Sequence, residues 1–560
     1  MSRSVEINTV EIEAVTTAAA SPKQTRRESA QTMTRTIAVA LALMFVLGFA
    51  LRLTGINAIG FAEDEANKLE AVRAYERGDI TPNAEHPMLM KALVYVSLKV
   101  AEGWNARWPQ SSISDEAALR FPNILFGALT VLPLFLLTAA FFDRRTGLLA
   151  AALWAFGVNA ITYNRIAKED TLLVFFMLFA FYFYLRAKQA SGYDAKAKRR
   201  NYALSGVSFG LMLASKYFPH YFGLNALYHY LFRVRERAEG EPKWKTPGLF
   251  YALIAGVFLL ANPAVLLPQT WSYLQAYSSE GLLTHTGYLM GETLYKNNAS
   301  STPFRGTPIY FYLLFLAIKV PLPVIIAFVV GLIACVKRRR HPGEGFLLLM
   351  FVLWIVPYSL FGAKWLRYTL SLMPFVYMIA AVGIMALCGW TVSIFESRRG
   401  ARRASVLAYA ALLVFFIALP AWSAYASNPH YALYVNAVGS GRAGYFFPHD
   451  EFYDDGLREA IRFVCDDAPQ GATIAHETPG VARYYLQKFG RSDLQSRVLS
   501  DAKFNLADAP KPSYIIIQRG RTYFENRQKI AEARARLPKV NEVFVQGVKA
   551  AEVYKAQEMK

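Results

Sequence analysis

Cysteine is scarce in this chain: three in 560 residues, Cys335, Cys388 and Cys465, far apart, the first two in or beside apolar stretches. That excludes a disulfide framework and zinc spacing. Charge is thin as well. Asp, Glu, Lys and Arg make up 18% of the residues, against 54% hydrophobic and 14% aromatic, which is too apolar for an ordinary soluble enzyme. No internal repeat is visible, which weighs against transporter architectures built from duplicated halves. The first hydrophobic stretch lacks a small-residue cleavage pattern and reads as a retained anchor. The formal net charge of +20 does not point to nucleic acid, because the basic residues fall in short runs between apolar spans, where they set membrane orientation.

What is present is a polytopic α-helical membrane protein. Residues 1–35 read as a disordered cytoplasmic tail. A first span from Thr36 to about Thr54 is followed by Leu119–Phe142, Leu148–Tyr163, Thr171–Ala187, Tyr202–Phe218, Tyr221–Phe232, Leu249–Leu267, Ile309–Val336, Phe346–Phe361, Tyr368–Trp390 and Val406–Tyr425. This makes about eleven crossings. The basic runs Arg144-Arg145, 196–200, 233–245, 337–340 and 398–403 then fall on one side, which predicts a cytoplasmic N terminus and an extracytoplasmic C terminus. The segment Met88–Trp104 is short and interrupted by Lys91 and Lys99. If it crossed, every later basic run would change sides, so it is expected to lie in the interface behind Pro87.

Three regions are expected outside the membrane. Residues 56–118 form a loop with two interfacial helices, the first over Glu65–Arg77, and residues 268–308 form a second loop rich in Tyr, Ser, Thr and Asn. Residues 426–560 alternate helical stretches (Gly456–Asp467, Val481–Phe489, Tyr523–Leu537) with short apolar runs (Thr473–Ala475, Tyr514–Ile517, Glu542–Val545, Ala551–Tyr554), the pattern of a small α/β domain.

The chemistry is expected around Glu63, Asp64 and Glu65, where the chain leaves the first span. Carboxylates beside hydrocarbon are costly unless hydrated, paired or used; the other reading is that Asp64 caps a helix starting at Glu65. Cations at the ends of several spans share this face: His86, Arg120, Arg165, Lys168 beside Asp170, Lys216, and Arg367 followed by Tyr368. Each alone could be a snorkelling anchor. Together with the carboxylates they suit transfer of a sugar from a lipid phosphate, which needs a base for the acceptor hydroxyl and cations for the departing phosphate. The run 449–455 holds His449, Asp450, Glu451, Asp454 and Asp455, which either offer oxygen ligands to a divalent cation or form an acidic turn capping the next helix.

The order of these features resembles the GT-C glycosyltransferases of the protein O-mannosyltransferase and lipid A aminoarabinose transferase type. The matching residues are the Asp64-Glu65 pair, the run His86-Pro87-Met88-Leu89, Arg120, Arg165 with Asp170, Ser215-Lys216, and Arg367 to Pro374, across Thr36 to about Tyr425. The resemblance implies a GT-C fold, Asp64 as catalytic base, basic residues at the positions of His86 and Arg120 facing the lipid phosphate, and Asp170 as second acid of the cleft; by residue type, Glu65 or Glu63 is expected to support Asp64. Met88 stands where the family has a second proline, and His86 stands where the aminoarabinose enzymes have lysine. No WWD-type run occurs, unlike in oligosaccharyltransferases. The expected function is inverting transfer of a sugar from a polyprenyl-phosphate donor to a protein, lipid or glycan acceptor at the extracytoplasmic face of the cell (inner) membrane. No cofactor is certain, and a divalent cation is possible. The competing readings are a transporter or flippase of lipid-linked sugar, and a catalytically silent binding protein.

Overall fold

The computed structural model describes residues 35–190, 194–232, 246–279, 287–298, 306–396, 402–506 and 512–556. The expected N-terminal tail up to residue 34 and the basic run 233–245 lie outside the described residues, as does most of the run 398–403. Every expected span coincides with a helix or a helix pair. The first is Arg35–Leu53, the second the stacked pair Asp115–Leu129 and Val131–Phe141, and the fourth Asp170–Gln189. Six helices among the described residues are long and apolar enough to cross a membrane, or seven if one bent pair counts as a span. Two shorter apolar helices, Gly248–Ala261 and Leu322–Lys337, lie where further crossings are expected. The chain is thus a multi-pass helical membrane protein, with fewer full-length spans than the eleven expected.

Two expected spans are interrupted, each for a local reason. The third bends by 56° between Arg144–Phe156 and Val158–Asn164, at Gly157, where a Cβ would come within 2.2 Å of the Tyr377 hydroxyl. The span expected over 309–336 is broken into Phe311–Lys319 and Leu322–Lys337. Pro321 supplies no amide hydrogen there and forces Val320 to be extended, with φ −95° and ψ 136°. Helix Leu322–Lys337 then packs on Met373–Glu396 backbone against backbone. A Cβ on Gly331 would lie 1.9 Å from the Ile379 carbonyl oxygen, and one on Gly383 equally close to that of Ala327, so only glycine allows this approach.

The two helices expected to lie in the interface are formed by Glu63–Tyr75 and Met88–Arg107. Beyond residue 426 lies a five-stranded sheet of β3 (Thr473–His476), β4 (Gln495–Val498), β5 (Ser513–Gln518), β6 (Lys539–Val545) and β7 (Val548–Ala556); β1 (Tyr288–Met290) and β2 (Thr293–Tyr295) form a separate hairpin in the second loop. The sheet order is β4-β3-β5-β7-β6. Strands β3, β4 and β5 run parallel, and β7 is antiparallel to both neighbours. Burial on both faces explains why β3 and β5 are continuous apolar runs. Strand β4, QSRV, is a polar edge strand that hydropathy does not reveal.

Helix Leu457–Asp467 turns Leu457, Ala460, Ile461 and Val464 inward, at helical spacing. These four residues join Phe61, Leu69, Val72, Leu119 and Leu172 in one apolar core. The sheet unit is therefore fused to the first loop and to the ends of two spans, and that junction positions the site.

Candidate active site

The loop helix begins at Glu63 with Ala62 as its N-cap, and Glu65 closes the first turn by accepting the Ala62 amide at 3.1 Å. Asp64 is therefore not a cap, and its carboxylate is only partly covered, with 31% of the side chain exposed. Lys168 Nζ lies 2.9 Å from Oδ1 and Arg367 Nη1 lies 3.5 Å from Oδ2. The Tyr453 hydroxyl donates to Oδ2 at 2.6 Å. Burial alone would raise the Asp64 pKa, but the charges of Lys168 and Arg367 and the Tyr453 hydrogen bond outweigh it and hold the carboxyl well below its usual range.

The surroundings of Asp64 are ionic. Lys68, on the same helix, pairs with buried Glu169, whose other oxygen lies 3.9 Å from His86 Nδ1. His86 Nε2 is 3.3 Å from Lys168 Nζ. Burial drives the imidazole well below its ordinary pKa, and the nearby lysines add to this. The His86 imidazole thus lies between Lys168 and Glu169, within the ionic cluster around Asp64. One step further, Lys216 Nζ pairs with Asp170 at 2.7 Å. The Tyr368 ring sits between Lys216, 4.8 Å from its centroid, and the Arg367 guanidinium, at 5.6 Å. Lys68, Lys168, Lys216 and Arg367 thus face Asp64, Glu169 and Asp170. Asp170 Oδ2 is buried and has no hydrogen-bond partner among the described residues.

Three expected site residues serve the scaffold instead. Arg120 spends all of its donors internally: Nε and Nη2 grip Glu65 at 2.8 and 2.6 Å, Nη1 reaches the carbonyls of Ile56 and Ile59, and Nη2 that of Gly60. No donor is left to face a lipid phosphate. Glu65, beyond its two bonds to Arg120, accepts the amides of Ala62 and Ala167 and is buried, so its support is to the loop and not to the reacting groups. Arg165 caps the first span by donating to the carbonyls of Leu51, Arg52, Thr54 and Gly55, and lies over the Tyr431 ring. All three also line a cavity of about 40 Å³ between the loop and the His430–Asp455 pair.

The acidic run before Gly456 neither caps the following helix, whose N-cap residue Gly456 makes no side-chain cap, nor forms a metal site. Among the described residues no group of three His, Cys, Asp or Glu could hold a metal ion. Each side chain of the run is engaged elsewhere: His449 with the Gly520 carbonyl, Asp450 with Tyr288, Glu451 with Lys319, Asp454 with Arg521, and Asp455 with His430. Arg521 bridges Asp454 to Glu63, 2.7 Å from the Glu63 carboxylate, and the Glu63 amide donates to Asp454 at 2.9 Å. The sequence reading missed Tyr453, Arg521 and Lys68. An aromatic residue inside a dense acidic run next to a glycine was the available signal for Tyr453.

Residues 111–266 match the family model described as dolichyl-phosphate-mannose-protein mannosyltransferase. No curated protein sequence matches the chain. Among solved structures, ArnT from Cupriavidus metallidurans in the apo state is similar at a TM-score of 0.51 and 14% identity, over 93% of this chain and 97% of that one. The same protein bound to undecaprenyl phosphate gives 0.50 and 12%, over 94% and 98%. The Archaeoglobus fulgidus oligosaccharyltransferase tethered to an acceptor peptide gives 0.50 and 12%, over 82% of this chain and 63% of that one. The resemblance to GT-C glycosyltransferases drawn from the sequence motifs therefore holds, and the fold is theirs.

Proposed function

We propose that the chain is an inverting glycosyltransferase that moves a sugar from a polyprenyl-phosphate donor to an acceptor hydroxyl at the extracytoplasmic face of the cell (inner) membrane. The observation that carries this reading is Asp64, a partly exposed carboxylate with Lys168 and Arg367 beside it. Support comes from the fold shared with a structure that holds undecaprenyl phosphate.

In this reading the acceptor hydroxyl gives its proton to Asp64 as its oxygen bonds to the anomeric carbon. The bond from that carbon to the phosphate oxygen breaks, and polyprenyl phosphate leaves carrying the electron pair. A phosphodiester donor has a good leaving group, so the cations replace a general acid. In this reading Lys168, Arg367 and Lys216 hold the phosphate, and each, now paired with a carboxylate, would divide its charge between that carboxylate and the lipid. As Lys168 and Arg367 turn toward phosphate, the charges that depress Asp64 weaken and it becomes a better base.

The test is Asp64→Asn in membranes supplied with labelled polyprenyl-phosphate hexoses and pentoses. Release of free polyprenyl phosphate should vanish while expression and membrane insertion stay at the wild-type level. Undiminished turnover by the mutant would remove Asp64 from the reaction, and absence of release by the wild type on every donor would remove the transferase reading.

A further inference from the structure

Tyr453 lies 389 positions from Asp64 in the chain, yet its hydroxyl is 2.6 Å from the carboxylate. The backbone that brings it there is unusual. Tyr453 and Asp454 both take left-handed conformations, at φ 48° and 66°, between the short helix Pro448–Phe452 and helix Leu457–Asp467. For a bulky aromatic residue this conformation is costly, and such outliers persist where surrounding contacts over-determine them. Here the contacts are those of Asp454 with Arg521 and with the Glu63 amide.

Attachment of the sheet unit to the loop does not depend on Tyr453. Arg458 donates to the carbonyls of Asn57 and Ala58, Tyr485 accepts the Phe61 amide, Lys488 pairs with Glu116, and Arg521 pairs with Glu63. The Tyr453 hydroxyl is spent on Asp64. A carboxylate has about four acceptor positions. Lys168 takes one on Oδ1, and Tyr453 and Arg367 share Oδ2. Tyr453 is thus the neutral donor that fixes Oδ2, while part of the carboxylate stays exposed.

We infer that Tyr453 is a positioning residue that the C-terminal unit supplies to the active centre, fixing the orientation of the Asp64 carboxylate toward the incoming hydroxyl. Resting on Asp64 as the base, this makes the sheet unit part of the active centre and not an appendage. The groups facing Asp64 are then Lys168 from the loop before helix Asp170–Gln189, Arg367 from the 3₁₀ turn Leu366–Ser371, Glu63 from its own helix, and Tyr453.

The experiment compares full-length wild type with Tyr453→Phe in detergent. Carbodiimide labelling of Asp64 is followed against pH by peptide mass spectrometry, and turnover is measured on a panel of polyprenyl-phosphate hexoses and pentoses. Loss of a hydrogen bond that favours the ionised form should move the Asp64 labelling midpoint to higher pH. It should lower kcat about tenfold while leaving the donor KM unchanged. Tyr453→Asn, easier in the left-handed region and too short to reach, should show the same shift and secures the test if the Phe variant folds poorly. Wild-type labelling and wild-type kcat in both variants would overturn the inference and leave the role of Asp64 intact. Retained turnover in Asp64→Asn would instead remove the base assignment, with the labelling result still readable.

Discussion

Arg120 separates what residue type suggests from what geometry allows, and replacing it with methionine distinguishes the two. The side chain is buried, and its guanidinium makes five hydrogen bonds, two to Glu65 and three to the carbonyls of Ile56, Ile59 and Gly60. Arg120→Met leaves Glu65 as a buried carboxylate without its cation, still held by the amides of Ala62 and Ala167. Removing one partner of a buried ion pair typically costs about 3–5 kcal/mol, a large share of the roughly 5–15 kcal/mol that keeps a domain folded. The expected outcome is an apparent Tm lower by several degrees in a detergent thermal-shift assay, with less monodisperse protein. Arg120→Lys keeps the charge but offers three donors in place of the fork, so it should fall between, stable enough for kinetics. Its donor KM should equal that of wild type, because no Arg120 donor is left unpaired. A variant as stable as wild type whose donor KM rises about tenfold, equal to a lost contact of about 1.4 kcal/mol, would refute this accounting and return Arg120 to the phosphate.

Two further outcomes follow from the ionic network. Asp64 is depressed in the free enzyme, so its activity as a base is present above that low pKa and is lost as pH falls through it. If Lys168 and Arg367 move toward donor phosphate, the pKa rises in the complex, and the acid limb of kcat should lie at higher pH than the acid limb of kcat/KM. Coincident limbs in pH–rate profiles would show that the cations stay on Asp64. Arg521→Met should strand Asp454 and Glu63 together, at a cost of about 3–5 kcal/mol, and raise amide hydrogen exchange in helices Glu63–Tyr75 and Leu457–Asp467. Unchanged exchange in both helices would mean the bridge does not hold the sheet unit to the loop.

The helices were legible in the sequence because hydrophobic runs of membrane length have few alternative explanations. Even the break at Pro321 follows from a missing amide hydrogen that was there to be read. Strand β4 was not legible, since an edge strand with exposed side chains carries no apolar signature. The site was half legible: Asp64, Lys168 and Arg367 do meet, as expected of charges at span ends on one face. The carbonyl contacts of Arg120 and Arg165 share a feature that residue type does not show. A sequence shows that a guanidinium is present but not how many of its five donors are already committed. Helix termini offer a partial remedy, because the last carbonyls of the first span lack intrahelical donors and some side chain must supply them. Arg165 meets that demand at Leu51, Arg52, Thr54 and Gly55, and Arg120 meets the same demand in the turn that follows, at Ile56, Ile59 and Gly60. A cation next to a span end that lacks donors is thus a candidate to be used up there before any ligand arrives. Lys168 and Arg367 escape this because their partner is a carboxylate, a group that a phosphate can replace.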